Sequence, residues 1–402
     1  MELFKNTNFD FLGKKWPFII LSLILTAAGL LSLIVRGGPK YGIDFKGGAL
    51  VTVRFLQRPP VDRVRAALAG KLPVEVTEVT GTQDDLIGTD VKEDKSLQAA
   101  RQTIEDSLTG AFGSTPPGKY NINHGGAASL ADRLRDALQR SGVSLSEPQI
   151  QDLAKNMTKF RDTPPRSGLI RNLDDLSSVP GVTPQILNVI KQEAYPSTLA
   201  IINTEVVGAK IGADLQRQAF LAVLYALAGM LVYIAFRFEW IYGIAAVIAV
   251  FHDTIITIGL FSLFNKEISL TVVAALLTLV GYSMNDTIVV FDRIRENLKV
   301  LRRENLESLI NRSVNQTLSR TVLTSGLTFL TAISLYLFGG QVLNGFSFAL
   351  VVGIIVGTYS SIFIASPILI FWQNFLESRK KPAVVAASVP REAVRRGTAK
   401  VK

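Results

Sequence analysis

Two aspartates and one arginine set the chemistry open to this chain, because each stands inside or beside a long apolar run. Asp286 lies in Val280-Gly281-Tyr282-Ser283-Met284-Asn285-Asp286-Thr287-Ile288-Val289-Val290-Phe291-Asp292-Arg293-Ile294-Arg295-Glu296-Asn297, within a run that opens at Ile268. A carboxylate at membrane depth costs about 2.5–3.5 kcal/mol on insertion scales, so its presence asks for a function. At ~1.5 Å of rise per residue it sits roughly 27 Å along a helix begun at Ile268, one to two turns short of the charged exit at Asp292. Helical spacing puts Thr271, Ala275, Thr278, Tyr282, Asp286 and Arg293 along one side. That side is more polar than a lipid-facing surface and is expected to face other helices.

His252-Asp253 lies about 20 Å into the run that opens at Trp240, near the bilayer middle. Adjacent residues on a helix point about 100° apart, so the two are not required to act as a pair. His252 reads first as a hydrogen-bonding residue between helices, whereas a midplane carboxylate such as Asp253 points to a functional or architectural role. Ser319-Arg320-Thr321 opens another run, where Thr321, Thr324, Thr328 and Thr331 are expected on one face with Ser325 beside them. Such hydroxyls can bond back to their own helix, but five together predict a wetter seam. The runs alternate in direction, which brings Asp286 and Arg320 into the same half of the membrane. A carboxylate whose distance from a guanidinium changes can load and release a proton.

Other chemistries have less to draw on. The chain has no cysteine and two histidines, His124 and His252, which rules out thiolate chemistry and argues against zinc. It contains no Gly-x-x-x-x-Gly-Lys-Ser/Thr phosphate loop and no His-Glu-x-x-His motif, so energy for any work must come from elsewhere.

The elements that position these residues follow from hydropathy. Of the 402 residues 48% are hydrophobic, with a mean hydropathy of +0.30, and they fall in blocks. Six runs, at 16–35, 219–236, 240–264, 268–291, 321–338 and 346–371, have the ~20 residues needed to cross a ~30 Å hydrocarbon core. The first exceeds a signal-peptide core of about 7–15 residues, and Arg36-Gly37-Gly38-Pro39 offers no small-x-small cleavage site, so it reads as a retained helix. Gly353 and Gly357 form a small-xxx-small pair for close helix packing.

Residues 36–218 are polar enough for a folded domain. Strand signals at 51–55, 74–79 and 198–207 and a helix at 61–68 predict an α+β unit, split by a helical insertion at about 92–195 with segments near 96–108, 129–139 and 147–160. Within it, residues 173–190 resemble a helix-hairpin-helix around Val179-Pro180-Gly181-Val182-Thr183-Pro184. Thr183 stands where a second glycine is usual, and the external placement that follows from the topology favours a structural hairpin over a DNA-phosphate site. The net charge of +10 is concentrated at span ends: the start at 1–15, the loop expected at 292–320 with Arg293, Arg295, Lys299, Arg302, Arg303, Arg312 and Arg320, and the tail at 372–402. With six spans these share one side, cytoplasmic by the positive-inside rule, and the 36–218 domain is outside.

Four stretches carry a family resemblance: Tyr41-Gly42-Ile43-Asp44-Phe45-Lys46-Gly47-Gly48, Glu205-Val206-Val207-Gly208, Arg237-Phe238-Glu239-Trp240, and 281–297. The chain resembles the SecF family of protein-export membrane subunits. The resemblance implies a membrane all-α bundle of six transmembrane helices, half of an RND-type transporter, with an external α+β domain carrying a helical insertion. It implies SecD as the partner completing twelve helices, the SecYEG translocon and YajC as further partners, and unfolded exported polypeptides as clients. The inner membrane's proton gradient would promote their movement, with no cofactor, metal or nucleic acid. By motif position the proton-pathway residues are Asp286 and Arg320, with Asp253 a third expectation. Asn285, Tyr282, Thr324 and Thr328 are the expected polar seam. The family motif residues are Gly42, Asp44, Gly47, Gly48, Gly281, Asp292, Arg293, Arg295 and Asn297. Two features depart from the family: Lys46 stands where a hydroxyl residue is usual, and the insertion lengthens the external domain. An RND-like exporter of lipids or small molecules, or a non-transporting scaffold, would share the helices and remain open readings.

Overall fold

A backbone in lipid must satisfy its own N–H and C=O groups, and the apolar runs do so as helices. The computed structural model describes residues 7–79, 82–89, 94–113, 116–237, 240–301 and 304–380. In chain order the elements are α1 (Lys15–Val35), α2 (Ile43–Lys46), β1 (Gly48–Phe55), α3 (Val61–Leu68), β2 (Val74–Glu78), β3 (Asp84–Thr89), α4 (Asp94–Phe112), β4 (Tyr120–Asn121), α5 (Ala127–Arg140), α6 (Glu147–Asp162), a 3-10 turn (Leu173–Ser178), α7 (Pro184–Glu193), β5 (Ala194–Tyr195), β6 (Leu199–Val207), α8 (Ala209–Arg237), α9 (Trp240–Leu263), α10 (Leu270–Val300), α11 (Leu306–Phe338), α12 (Gly340–Ser360), a π-turn (Ser361–Ala365) and α13 (Ser366–Lys380). Six spans among the described residues are long and apolar enough to cross a membrane. The chain forms two compact units, Tyr41–Arg217, and Met1–Lys40 with Gln218–Lys402.

The Tyr41–Arg217 unit is built on an antiparallel sheet in the order β2-β3-β1-β6. The alternation of β1 buries Val51, Val53 and Phe55 on one face. Strand β3 is an addition to the sequence expectation, because Asp84-Asp85 and Gly88 are poor strand formers. Guanidinium groups compensate both carboxylates: Arg54 grips Asp84 at 2.6 and 2.7 Å, and Arg58 grips Asp85 at 2.9 and 3.0 Å. Burial nonetheless pushes the Asp85 carboxyl above the ordinary carboxylate range.

The expected insertion at 92–195 is divided. Ile104 and Leu108 of α4 are buried with Val51, Val53 and Phe55, so α4 belongs to the sheet's core. The self-contained part is a second core, of Ile122, Leu134, Leu153, Met157, Leu176 and Ile190 among others. Lys92 itself lies outside the described residues. In the hairpin segment Thr183 caps α7, its hydroxyl accepting from Ile186 N at 3.3 Å, and that capping bond is a structural reason for a threonine at this position.

Gly47 and Gly48 have φ of +75° and +131°, a region that side chains rarely adopt. A Cβ on Gly47 would lie 2.7 Å from Ala209 Cα, and one on Gly212 would lie 2.8 Å from Phe45 O. The loop backbone thus lies directly on the first turn of α8, which only glycine permits.

In the other unit, α9, α10 and the rod from α12 to α13 bury 56%, 50% and 61% of their apolar spans, against 11%, 6% and 17% for α1, α8 and α11. The inner three form the core and the outer three keep faces free for lipid or another chain. Gly353 and Gly357 let α12 ride on α10, where added Cβ atoms would meet Leu279 at 2.3 Å and Ser283 at 3.0 Å. On α1 and α9, Gly29 and Gly259 meet backbone to backbone.

Two expectations need correction. Helix α8 starts ten residues before 219, and the segment 292–320, read as a loop, is helical over 292–300 and 306–320. The end of an apolar run is not the end of a helix when the next residues can be solvated or paired. Asn297 shows this: its amide donates to Ser313 Oγ at 2.8 Å and Gln316 Oε1 at 2.9 Å, joining α10 to α11. Phe238, Glu239, Arg302, Arg303 and the tail at 381–402 lie outside the described residues.

Candidate functional site

Helical periodicity places Val280, Ser283, Asp286, Thr287 and Val290 on the buried side of α10. Asp286 is 3% exposed, and Ser325 Oγ of α11 donates to its Oδ2 at 2.8 Å. An ionised carboxylate offers about four acceptor sites, so one hydroxyl leaves capacity unused. One turn earlier on α10 the Tyr282 hydroxyl is buried without a partner among the described residues, as is Thr321 Oγ1 one turn before Ser325. Arg320 is exposed and makes no ion pair with Asp286 among the described residues, although it lies within Coulombic reach of it.

The hydroxyl stripe of α11 is split between two sides. Thr321 and Ser325 are buried, whereas Thr324 and Thr328 share the open side with Arg320. Thr324 Oγ1 donates to Arg320 O at 3.0 Å, Thr328 Oγ1 to Thr324 O at 2.9 Å, and Thr331 Oγ1 to Thr328 O at 2.7 Å. These threonines satisfy themselves on their own helix, the simpler of the two explanations. On α10, Thr271, Thr278, Gly281 and Asn285 are exposed, so the stripe expected to be covered lies open in part; a Cβ added at Gly281 would meet nothing within 4 Å. Polar and small residues on both helices thus border the Asp286–Ser325 contact with an uncovered face.

A second carboxylate is held differently. Asp253 is 0% exposed, and its Oδ2 accepts from Ser283 Oγ at 2.5 Å and Ser360 Oγ at 2.8 Å. Its Oδ1 lies 2.8 Å from His252 Nδ1. The neighbours therefore do pair, despite their divergence on the helix, because both side chains have rotatable bonds enough to bend together. The imidazole's Nε2 meets Ser22 Oγ of α1, and Tyr359 OH lies 3.5 Å from that hydroxyl. Four helices, α1, α9, α10 and α12, share this network.

The motif residues mostly hold the frame. Asp292 is exposed, Arg293 pairs with Glu296 at 2.9 Å, and Arg295 Nη1 donates to Arg237 O at 3.3 Å. Gly42 precedes α2, with Asp44 in its first turn. Outside the spans, burial pulls the Lys266 ammonium below the ordinary lysine range, and Lys266 donates to Asn344 Oδ1 at 2.6 Å.

Five residues have roles the spacing did not announce: Ser22, Ser283, Ser360, Asn311 and Asn315. The serines look like ordinary small residues until their partners on other helices are known. Asn311 and Asn315, at i,i+4 on α11, read the backbone of the segment before α1: Asn315 accepts from Phe9 N at 2.9 Å and donates to Phe9 O at 2.8 Å, and Asn311 accepts from Phe11 N at 2.9 Å. A pair of amides at helical spacing was the signal available.

Comparison with known proteins identifies relatives of the chain. Residues 187–375 match the family model described as protein export membrane protein SecD/SecF, C-terminal, and residues 32–55 match the SecD/SecF GG motif. The chain is 47% identical to protein translocase subunit SecF of Koribacter versatilis, over 98% of each chain. It is 34% identical to the Rhodothermus marinus subunit of the same name, over 95% of this chain and 99% of that one. The crystal structure of SecDF, a translocon-associated membrane protein from Thermus thermophilus, superposes with a TM-score of 0.63 at 31% identity, covering 92% of this chain and 39% of that one. A super-membrane-facing form of SecDF gives 0.56 at 29% identity, covering 94% and 41%. The chain thus spans about two-fifths of the solved SecDF chains.

Proposed function

The chain belongs to the SecD/SecF family as a SecF protein translocase subunit, and from that premise we propose that it works as the proton-responsive half of a complex with SecD. In this reading Asp286 takes up and gives back a proton as its distance from Arg320 changes, and the motion promotes export of unfolded polypeptides through the SecYEG translocon, with YajC as a further associate. The single observation that supports it is Asp286 itself: a carboxylate buried at span depth, held by one hydroxyl, within Coulombic reach of an arginine that makes no ion pair with it among the described residues. A scaffold has no use for so costly a group. One elementary charge moved across the membrane field is worth about 2.3 kcal/mol per 100 mV, enough to drive such a motion.

The open faces of α10 and α11, with Asn285, Gly281, Arg320 and Thr324, are where SecD is proposed to pack; the small and polar residues there suit a helix interface better than lipid. The basic segments are proposed to face the cytoplasm and the Tyr41–Arg217 unit the periplasm, in the inner membrane. The test is export driven by an imposed proton gradient. Asp286→Asn keeps shape and hydrogen bonding but cannot titrate, and is expected to preserve expression and SecD binding while removing the gradient-dependent part of export. Arg320→Lys is expected to be a partial defect, because charge survives while the planar fork is lost. Gradient-dependent export by Asp286→Asn equal to the parent's would overturn the reading.

A further inference from the structure

The His252–Asp253 network has a chemistry of its own. Three donors converge on Asp253: His252 Nδ1, Ser283 Oγ and Ser360 Oγ, at 2.8, 2.5 and 2.8 Å. So complete a shell suits the ionised carboxylate, which has no need of a proton. The carboxylate in turn holds the proton of the neutral ring on Nδ1, which leaves Nε2 bare. The partner of Nε2 is Ser22 Oγ, a hydroxyl that can donate to a bare nitrogen or, after turning, accept from a protonated one.

We propose that His252 and Asp253 form a second proton-holding site of the bundle, with imidazole Nε2 the atom that takes the proton. The inference rests on the proton-responsive reading above and extends it to a group that reading does not require. Loading adds one proton to Nε2 and nothing else: the ring becomes an imidazolium paired with the carboxylate, and the pair changes from a net single negative charge to neutral. Ser22 then accepts where it had donated, and unloading reverses both steps.

The surroundings fit a site of this kind. Charged or titratable groups near it are few among the described residues. From α12 Tyr359 faces the ring edge to face, with centroids 6.2 Å apart; α10 carries Tyr282 beside Ser283 and Asp286 one turn beyond it; from α1 Ser22 meets the ring. Ser360 stands immediately before the π-turn at Ser361–Ala365, and such an extra residue in a helix re-aims the side chains around it and recurs at functional sites. Helix α10 also links the two carboxylates: Ser283 reaches Asp253, and Asp286, one turn on, is reached by Ser325. A shift of α10 is therefore felt at both.

The chain's two histidines make the test direct. With His124→Gln, the full chain assembled with SecD in lipid and labelled with 15N-histidine carries one imidazole. Its nitrogen spectrum is expected to show Nδ1–H with bare Nε2 at the basic end of a pH titration, and a doubly protonated ring at the acidic end. Asp253→Asn is expected to require at least about tenfold higher proton activity for the same change, since the charge partner is gone. An Nε2–H ring, or no change across the titration, would overturn the site. In the export assay His252→Gln is expected to displace the pH profile of gradient-driven export; a profile equal to the parent's would also overturn it. The two readings fail separately: normal gradient dependence in Asp286→Asn sinks the first, while the ring spectrum reports on the second whatever export does.

Discussion

Gly259→Ala tests the packing that holds the His252 network together. A Cβ at 259 would lie 2.7 Å from Gly29 Cα and 3.4 Å from its carbonyl carbon, atoms of backbone that no rotamer can remove. To restore ordinary contact, which begins at 3.4 Å, α1 and α9 must part by about 0.7 Å. A gap of that size forfeits roughly a quarter to a half of the dispersion well along the seam. It also stretches Ser32–Ser262, at 2.7 Å, and the Ser22–His252 contact; interhelical bonds in membranes average about 0.6 kcal/mol each. Overpacking costs typically about 1–3 kcal/mol, and alanine's better helix propensity returns about 0.5–1. The net expected loss is about 1–3 kcal/mol, read by reversible unfolding in mixed micelles. Gly229→Ala is the control, because its Cβ would meet nothing within 4 Å. The double variant with Gly29→Ala should cost less than the sum of the two singles, since the helices have already parted. If Gly259→Ala unfolds like Gly229→Ala, the close crossing of α1 and α9 is wrong.

Further outcomes follow from other contacts. Ser325→Ala removes the hydroxyl that reaches Asp286, a bond to a charged group worth about 1.5–3 kcal/mol, and is expected to displace the pH profile of gradient-driven export, while Ser325→Thr keeps it. Deleting residues 120–195 is expected to leave a chain that inserts and binds SecD, whereas deleting from 94 removes Ile104 and Leu108 from the sheet's core and should give a degraded protein; equal levels of the two on an immunoblot would refute the division. His124 has its pKa raised above the ordinary 6.5, chiefly by its bond to Glu105. A raised histidine value stabilises fully below the ordinary value and loses that contribution as pH rises through the folded one. Protease cleavage between α4 and α5 should therefore increase above about pH 6.5 in the parent, and His124→Gln should flatten the trend.

The spans were legible because an apolar run of ~20 residues has few other uses. Their ends were not: Arg293, Arg295 and Lys299 continue α10 as easily as they would leave it, once solvated or paired. Strand β3 escaped because Asp84 and Asp85 look like turn residues until Arg54 and Arg58 are seen across from them. At the site, Asp286 stood out in the sequence by cost, since a carboxylate in an apolar run is expensive unless it lies at a hydrated rim, and the structure buries it. The serines did not, because a hydroxyl that bonds its own helix and one that binds a carboxylate on another look alike in sequence. Thr324 and Ser325 are adjacent and do one of each.

The central claim is that Asp286 carries a proton for SecD and this chain together. It is tested most directly by proton flux in sealed vesicles holding the reconstituted pair, read with an internal pH indicator under an imposed gradient. The parent is expected to pass protons at a rate that rises when SecYEG and an exporting client are present, and Asp286→Asn is expected to reduce that flux to the level of empty vesicles. Flux through Asp286→Asn equal to the parent's would contradict the account.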